Sequence, residues 1–265
     1  VRTVPFSSVV NGVSARIGLD PTISPTASTL ATIAEYVNTA MRGAWEAYPW
    51  PDFVRFENRQ FYATWSSSTT YAANAVVLGS DGNYYYSKSA GNTNHNPTTD
   101  ATDTYWALTS SYTSTTGTGI LFAIDLDQVL GGVAQTPIGE VLGVWDSDPR
   151  TNRYSTPINW FLTNDGIVVG QNGLSVTSIP STVWIEFTAR PTVYTADSYS
   201  SSSALVPYVL SEAIKELAVA ASLRAKNDYP NAAAASAVAR ELLEKEWDKL
   251  EMKQQQSGRF RALVR

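Results

Sequence analysis

Between Leu30 and Tyr48 the apolar residues Leu30, Ile33, Ala34, Val37, Met41, Ala44, Trp45 and Tyr48 recur at three- and four-residue spacings. That spacing places them on one face of an α-helix. A hydroxyl at Thr26 or Ser28 can cap its start, and Pro49 and Pro51 stop it. The Trp45–Trp50 pair beside the stop reads as core or interface packing. Upstream, Pro5, Gly12, Gly18, Pro21 and Pro25 predict an irregular arm over 1–25.

Beyond Phe53 the apolar runs become short and are separated by turn residues. Val76-Val77-Leu78, Gly79-Ser80-Asp81-Gly82 and Asn83-Tyr84-Tyr85-Tyr86 predict a hairpin. Further strands are expected over 119–125, 139–146, 159–163, 167–169 and 182–189, with Asn164-Asp165-Gly166 as a tight turn. The stretches 110–119 and 195–203, rich in Ser, Thr and Gly, read as connectors. At Ala204 the period lengthens again. Helices are expected over 205–226 and 231–256, with Pro207 and Pro230 in first turns, Asp228 as a cap and Gly258 as the end. Their short connection implies an antiparallel hairpin, packed closely through Ala232–Ala235, Ala237 and Ala239. Glu241 with Lys245, and Glu246 with Lys249, suit a solvated helix face.

The expected fold is therefore α+β. An N-terminal arm and helix (1–59) and a C-terminal hairpin (204–257) form one helical domain. A central β domain (110–203) carries a small β insert (60–109), and 258–265 form a tail. Charge follows the same division. Lys/Arg against Asp/Glu number five and five over 1–59, four and eleven over 60–203, and ten and eight over 204–265.

An apolar content of 43% excludes wholesale disorder. The chain has no cysteine and one histidine, His95, which excludes disulfides, thiolate chemistry and histidine metal clusters. No metal or cofactor is expected. A net charge of −5 is the wrong sign for a domain that grips duplex DNA. No apolar run approaches eighteen residues and the start lacks a signal core, so no membrane partner is expected. The expectation is a soluble chain made inside the cell, opening where an initiator methionine could have been trimmed.

Catalysis needs positioned carboxylates or a nucleophile with its base. Asp125/Asp127 and Asp146/Asp148 are i,i+2 pairs, a spacing common at strand ends and turns. His95 lies in the polar run Gly91-Asn92-Thr93-Asn94-His95-Asn96-Pro97, where a solvated loop histidine is the simpler reading. Phosphate-loop, zinc-protease and nucleophile-elbow motifs are missing from the sequence. The expectation is a protein without enzymatic activity.

Within 65–108 stand Trp65, Tyr71, Val76-Val77, Gly82-Asn83-Tyr84-Tyr85-Tyr86-Ser87-Lys88, Asn92, Pro97 and Tyr105-Trp106-Ala107-Leu108. This series resembles carbohydrate-binding modules of families 5 and 12, though Ala73-Asn74 replaces the glycine of the Tyr-x-x-Gly step. The resemblance implies a flat aromatic platform for sugar faces, with Trp65, Tyr84, Tyr86 and Trp106 as candidates. Tyr84 and Tyr86 share one strand face and Tyr85 the other, so only one set can be core. The alternative is that these aromatics form the core of a small disulfide-free lobe.

The whole chain carries a second likeness. A capped helix ends in Trp45-Glu46-Ala47-Tyr48-Pro49-Trp50-Pro51, near Arg55-Phe56-Glu57-Asn58-Arg59. A β region closes with Val183-Trp184-Ile185-Glu186-Phe187-Thr188-Ala189-Arg190-Pro191, and Val206-Pro207-Tyr208 opens the helical hairpin. Over about 20–265 this resembles the head-to-tail adaptors (connector, neck or gatekeeper proteins) of tailed bacteriophages and gene transfer agents. The likeness implies a structural virion protein of the neck, assembled in the host cytoplasm as a ring of twelve copies. Its implied partners are the portal protein, a tail terminator, stopper or tail tube protein, and genomic DNA passing without sequence-specific binding. Arg259, Phe260, Arg261, Leu263 and Arg265 then form a portal-docking tail: Gly258 releases an extended segment with Phe260, Ala262 and Val264 opposite the arginines and Leu263. A carbohydrate-binding tail or receptor-binding protein using 65–108 is the competing reading, and a polysaccharide-degrading enzyme a third.

Overall fold

A computed structural model describes residues 2–20, 25–100, 102–109, 121–169 and 182–263, with side chains described as far as Met252. The fold is mixed α+β, with an N-terminal helical part and a C-terminal helical hairpin. Two compact units divide it: Val1–Phe53 with Pro191–Arg265, and Val54–Arg190. Strand Val54–Gln60 therefore belongs to the β unit and 191–203 to the helical unit, which moves both expected boundaries.

In the helical unit, the first residues are not irregular. Helix α1 spans Phe6–Arg16. Phe6, Val9, Val10 and Val13 fall on one face and are buried. Pro5 takes the extended N-cap position, where a missing N–H costs nothing. Gly12 sits mid-helix because a Cβ there would meet the Lys215 side chain at 3.0 Å. Ahead of α1, strand Thr3–Pro5 pairs antiparallel with Leu205–Pro207, in register Thr3↔Pro207 and Val4↔Val206. The expected helix at 205 thus opens instead as a strand that ties the N-terminal segment to the start of α3.

Helix α2 spans Ala27–Ala47, and the Thr26 hydroxyl accepts the Thr29 N–H at 3.3 Å. Its buried face, Ile33, Ala34, Val37, Met41 and Ala44, is the one the spacing predicts, with Ala40 added. Trp50 is core: its Nε1–H donates to the Ala44 carbonyl at 2.7 Å, and its ring meets Trp247 edge-on at 5.8 Å. Helix α3 spans Tyr208–Ala225 and helix α4 Tyr229–Leu263. Asn227 takes a left-handed φ of 60° in the turn, and the Asp228 carboxylate accepts the Asn231 N–H at 3.4 Å. Ala232, Ala239 and Leu243 of α4 are buried.

Gly258 does not end α4. An internal glycine costs about 1 kcal/mol against alanine, and the good helix formers around it offset that. With 18 residues in α3 and 35 in α4, the longer helix outruns its partner by about 25 Å at about 1.5 Å per residue.

In the β unit, strand Thr182–Ala189 lies between Ile138–Trp145 and Val54–Gln60, antiparallel to both. Val183, Ile185, Phe187 and Ala189 alternate into the core. A second sheet orders Trp160–Thr163, Gly166–Val169 and Ala123–Ile124. Gly166 has φ +103°, and a Cβ there would sit 2.2 Å from the Ile124 carbonyl oxygen. Only glycine fits where the turn runs onto the neighbouring strand.

The insert contributes Val76–Leu78, Tyr84–Ser87 and Trp106–Leu108 as one sheet, with the expected hairpin present in register Val76↔Tyr86. It is no detached lobe. Tyr84 packs edge-on against Phe61 and Phe122, and its hydroxyl accepts the Phe61 N–H at 3.1 Å. The expected connector 110–119 lies outside the described residues. The other connector, 195–203, contains a short 3-10 helix, Ala196–Tyr199, closed by a Thr195–Ser198 capping box.

Candidate functional site

The four aromatics expected to stack on sugar do not form a platform. Tyr84 is 5% exposed and Trp106 1%. Trp106 Nε1–H donates to the His95 carbonyl at 2.7 Å, and its ring meets Tyr71 edge-on at 5.2 Å. Burial pushes the Tyr84 hydroxyl up to about 12. Trp65 and Tyr86 are half-buried, and Trp65 Nε1 is itself buried without a hydrogen-bond partner among the described residues. The core alternative describes these residues. Tyr84 packs inward against Phe61 and Phe122, while Trp106 packs within the insert against Tyr71.

His95 is not simply solvated. Its Nδ1 lies 2.9 Å from Asn92 Oδ1, and its ring stacks on Tyr105 with centroids 3.4 Å apart. Asn92 Nδ2 donates to Ser87 Oγ and to the Tyr105 carbonyl, which leaves Oδ1 as acceptor and puts the proton on His95 Nδ1. The polar run is thus an ordered support for the Trp106 strand. Asp100 completes it by accepting the N–H groups of Thr104, Tyr105 and Trp106 at 3.2, 2.7 and 2.9 Å.

Both carboxylate pairs are turn chemistry. Asp125 accepts the Asp127 N–H at 2.9 Å. Asp146 accepts the Thr156 N–H at 2.8 Å, a bond that with others holds its carboxyl below the usual range. Asp148 takes the Arg150 N–H, Nε and Nη2 at 2.9, 2.9 and 2.8 Å, and the Arg150 side chain keeps it ionised. Arg150 then lies over Phe56 at 4.8 Å and Trp184 at 5.8 Å, pinning its loop to the outer sheet face. Ser147, between the second pair, spends its hydroxyl in the same turn by donating to Asp146 Oδ1 at 2.9 Å. Among the described residues no three of His, Asp and Glu are placed to hold a metal ion, and no helix is long and apolar enough to cross a membrane.

What sequence reasoning missed is a cleft of about 460 Å³ in the β unit. Asp125, Asp127, Asp165, Gln128, Phe61 and Tyr62 line it together with Val129 and Leu130. The last two begin a small hairpin, Val129–Leu130 with Val133–Ala134, turning at Gly131-Gly132. Its Val129 and Val133 are 60% and 63% exposed. Asp127 pairs with Arg190 at 2.9 Å. Gln128 is 6% exposed; its Nε2 donates to the Gln60 carbonyl, while its Oε1 is buried without a partner among the described residues. Asp165 comes from a turn some forty residues away, so no local spacing announces the cluster.

The side chains of Arg259, Phe260, Arg261, Leu263 and Arg265 lie outside the described residues. The backbone of α4 runs helically to Leu263, which replaces the expected extended alternation. No protein-family model matches the chain, and no curated protein matches it.

Proposed function

We propose that this protein is a structural virion component, a head-to-tail adaptor whose copies form a ring between the portal and the first tail or neck protein. It works without catalysis, and genomic DNA passes through the ring without sequence-specific contact. One observation carries the reading: residues 1–53 and 191–265 form one helical unit, the residues between them in sequence form a separate β unit, and α4 is much longer than α3. A helix of that length gains most of its stability from packing. A helix longer than its hairpin partner suits a collar in which neighbouring copies pack against it. The sequence resemblance to phage adaptors supplies the identity of those neighbours. The carbohydrate-binding alternative loses its support with Tyr84 and Trp106 in the core.

Native mass spectrometry of the full chain, alone and with portal-bearing heads, tests the proposal. The expected result is a closed ring of about twelve copies that binds the heads at the portal vertex. A chain that stays monomeric and leaves heads undecorated would refute it.

A further inference from the structure

The sheet edges of the β unit are unequally protected. An edge offers a row of backbone N–H and C=O groups to any other strand, and proteins defend it with inward-pointing charges, prolines, bulges or short strands. Strand Val54–Gln60 carries Arg55, Glu57 and Arg59, and its register turns Glu57 and Arg59 to the same face as the core residues Ile185 and Val183. Strand Ile138–Trp145 has two register shifts, and its far end is occupied by the Trp145↔Pro157 bridge and the bond from Ile158 N–H to the Val144 carbonyl. Strand Trp160–Thr163 has none of these defences. It ends its sheet, paired among the described residues with Gly166–Val169 on one side only. Residues 159–164, Asn-Trp-Phe-Leu-Thr-Asn, contain neither charge nor proline. Phe161 and Leu162 are 43% and 59% exposed, and as neighbours in a strand they present apolar surface on both faces. Every remaining edge strand described in the unit has only two or three residues.

We propose that two copies of the chain pair antiparallel through Trp160–Thr163, which joins their two three-stranded sheets into one. The occupant is a second copy because the strand complements itself, and the other long edges are defended against it. An uncharged strand meets its own equivalent without repulsion, and Phe161 and Leu162 of each copy gain cover from the other. Antiparallel pairing also sets the Asn164-Asp165 turn of one copy beside the segment that leads into the other's strand. Asp165 and Arg153 are both exposed there, so the charges at the two ends attract. The contact is two-fold and isologous, and it therefore closes at two copies instead of growing into a fibre. It does not rest on the adaptor reading, since a ring needs a head-to-tail contact between different surfaces.

Two measurements on the full-length protein decide it. In sedimentation velocity, wild type should show a concentration-dependent doubling of mass, from monomer to dimer or from ring to paired rings. Leu162→Lys should shift that step to about tenfold higher concentration or more, since like charges then meet across the pair. Phe161→Thr, which keeps strand propensity but removes the ring, should shift it in the same direction. Val133→Lys, at a residue 63% exposed but off this edge, should leave it in place. Unchanged circular dichroism checks that the variants fold. A doubling that ignores both edge variants, or the lack of any doubling, overturns the proposal. In the second measurement, the cysteine-free chain receives Asn159→Cys in one preparation and Thr163→Cys in another. Mixed copies treated with a short bismaleimide should cross-link 159 to 163 in preference to 159 to 159 or 163 to 163. Preferential linking of like positions overturns the antiparallel pairing. Rings that form while Leu162→Lys changes nothing sink the edge contact and leave the adaptor reading standing. Edge-dependent dimers that never build rings sustain the contact and refute the ring.

Discussion

Arg59 and Glu57 should respond very differently to mutation, although they form one ion pair. Arg59 is 1% exposed on strand Val54–Gln60. Its Nη2 donates to Glu57 Oε2 and to the Thr136 carbonyl, both at 2.7 Å, while Nε and Nη1 are buried without partners among the described residues. Burial holds its pKa down, opposed by the Glu57 charge. Glu57 keeps a side chain 30% exposed and also accepts the Thr136 hydroxyl at 2.7 Å. Glu57→Gln leaves a buried guanidinium without its counter-charge, and breaking such a pair costs roughly 3–5 kcal/mol. The retained amide oxygen places the expected loss at the lower end, about 3 kcal/mol. Arg59→Met removes the buried charge and its two unpaired donors together. Glu57 can then hydrate, and the net change should stay within about 1 kcal/mol, because apolar replacement of buried ions is often neutral. In the double variant the methionine should rescue most of the Glu57→Gln loss. Urea unfolding of the full chain, followed by tryptophan fluorescence and circular dichroism, reads this difference, with the two units fitted as separate transitions if the probes diverge. Equal losses in the two single variants would refute the desolvation argument.

Four further outcomes follow from the same geometry. Gly166→Ala should lower the stability of the β unit by about 3 kcal/mol or more, because strain at positive φ adds to the clash with the Ile124 carbonyl; thermal melting measures it, and an unchanged Tm would contradict the turn. Tyr84→Ala should cost about 3–5 kcal/mol by emptying the ring cluster with Phe61 and Phe122, and excision of 65–108 should likewise damage the β unit while sparing far-ultraviolet helical signal. Asp100 has its carboxyl lowered: burial opposes ionisation, but the Trp106, Tyr105 and Thr104 N–H groups outweigh it. Its stabilisation is therefore present above the unfolded carboxylate value of about 4 and lost as pH falls through the lower folded value, so the protection of the Trp106 amide, measured against its intrinsic exchange rate at each pH, should fall in acid in wild type and change far less in Asp100→Asn. Tyr84 and Tyr194, raised to about 12 by burial, contribute stability below the unfolded value of about 10 that disappears as pH rises toward 12. Tyrosinate absorbance at pH 11 should accordingly jump on adding urea, and a flat response would place both rings in water.

Helix α2, the Val76–Tyr86 hairpin, the Thr182–Ala189 strand and the helical turn at Asn227-Asp228 were legible from the chain alone. Each is set by neighbours a few residues apart: a hydroxyl cap, a 3.6-residue apolar stripe, a two-residue alternation, a turn residue at a left-handed φ. Local chemistry misled where a breaker residue had a tertiary use. Pro5 opens α1, Gly12 makes room for Lys215, and Gly258 is carried inside α4. Residue type likewise marked the aromatics of the insert without saying which way they face; only packing against Phe61 and Phe122 sends Tyr84 inward. The pairing of Thr3–Pro5 with Leu205–Pro207 and the presence of Asp125, Asp127 and Asp165 along one cleft depend on contacts between distant segments. Periodicity reports the face an element buries, but not the partner it buries against. That partner is chosen by the burial of apolar surface summed over the whole fold, which is why the acidic cleft came into view only with the tertiary structure.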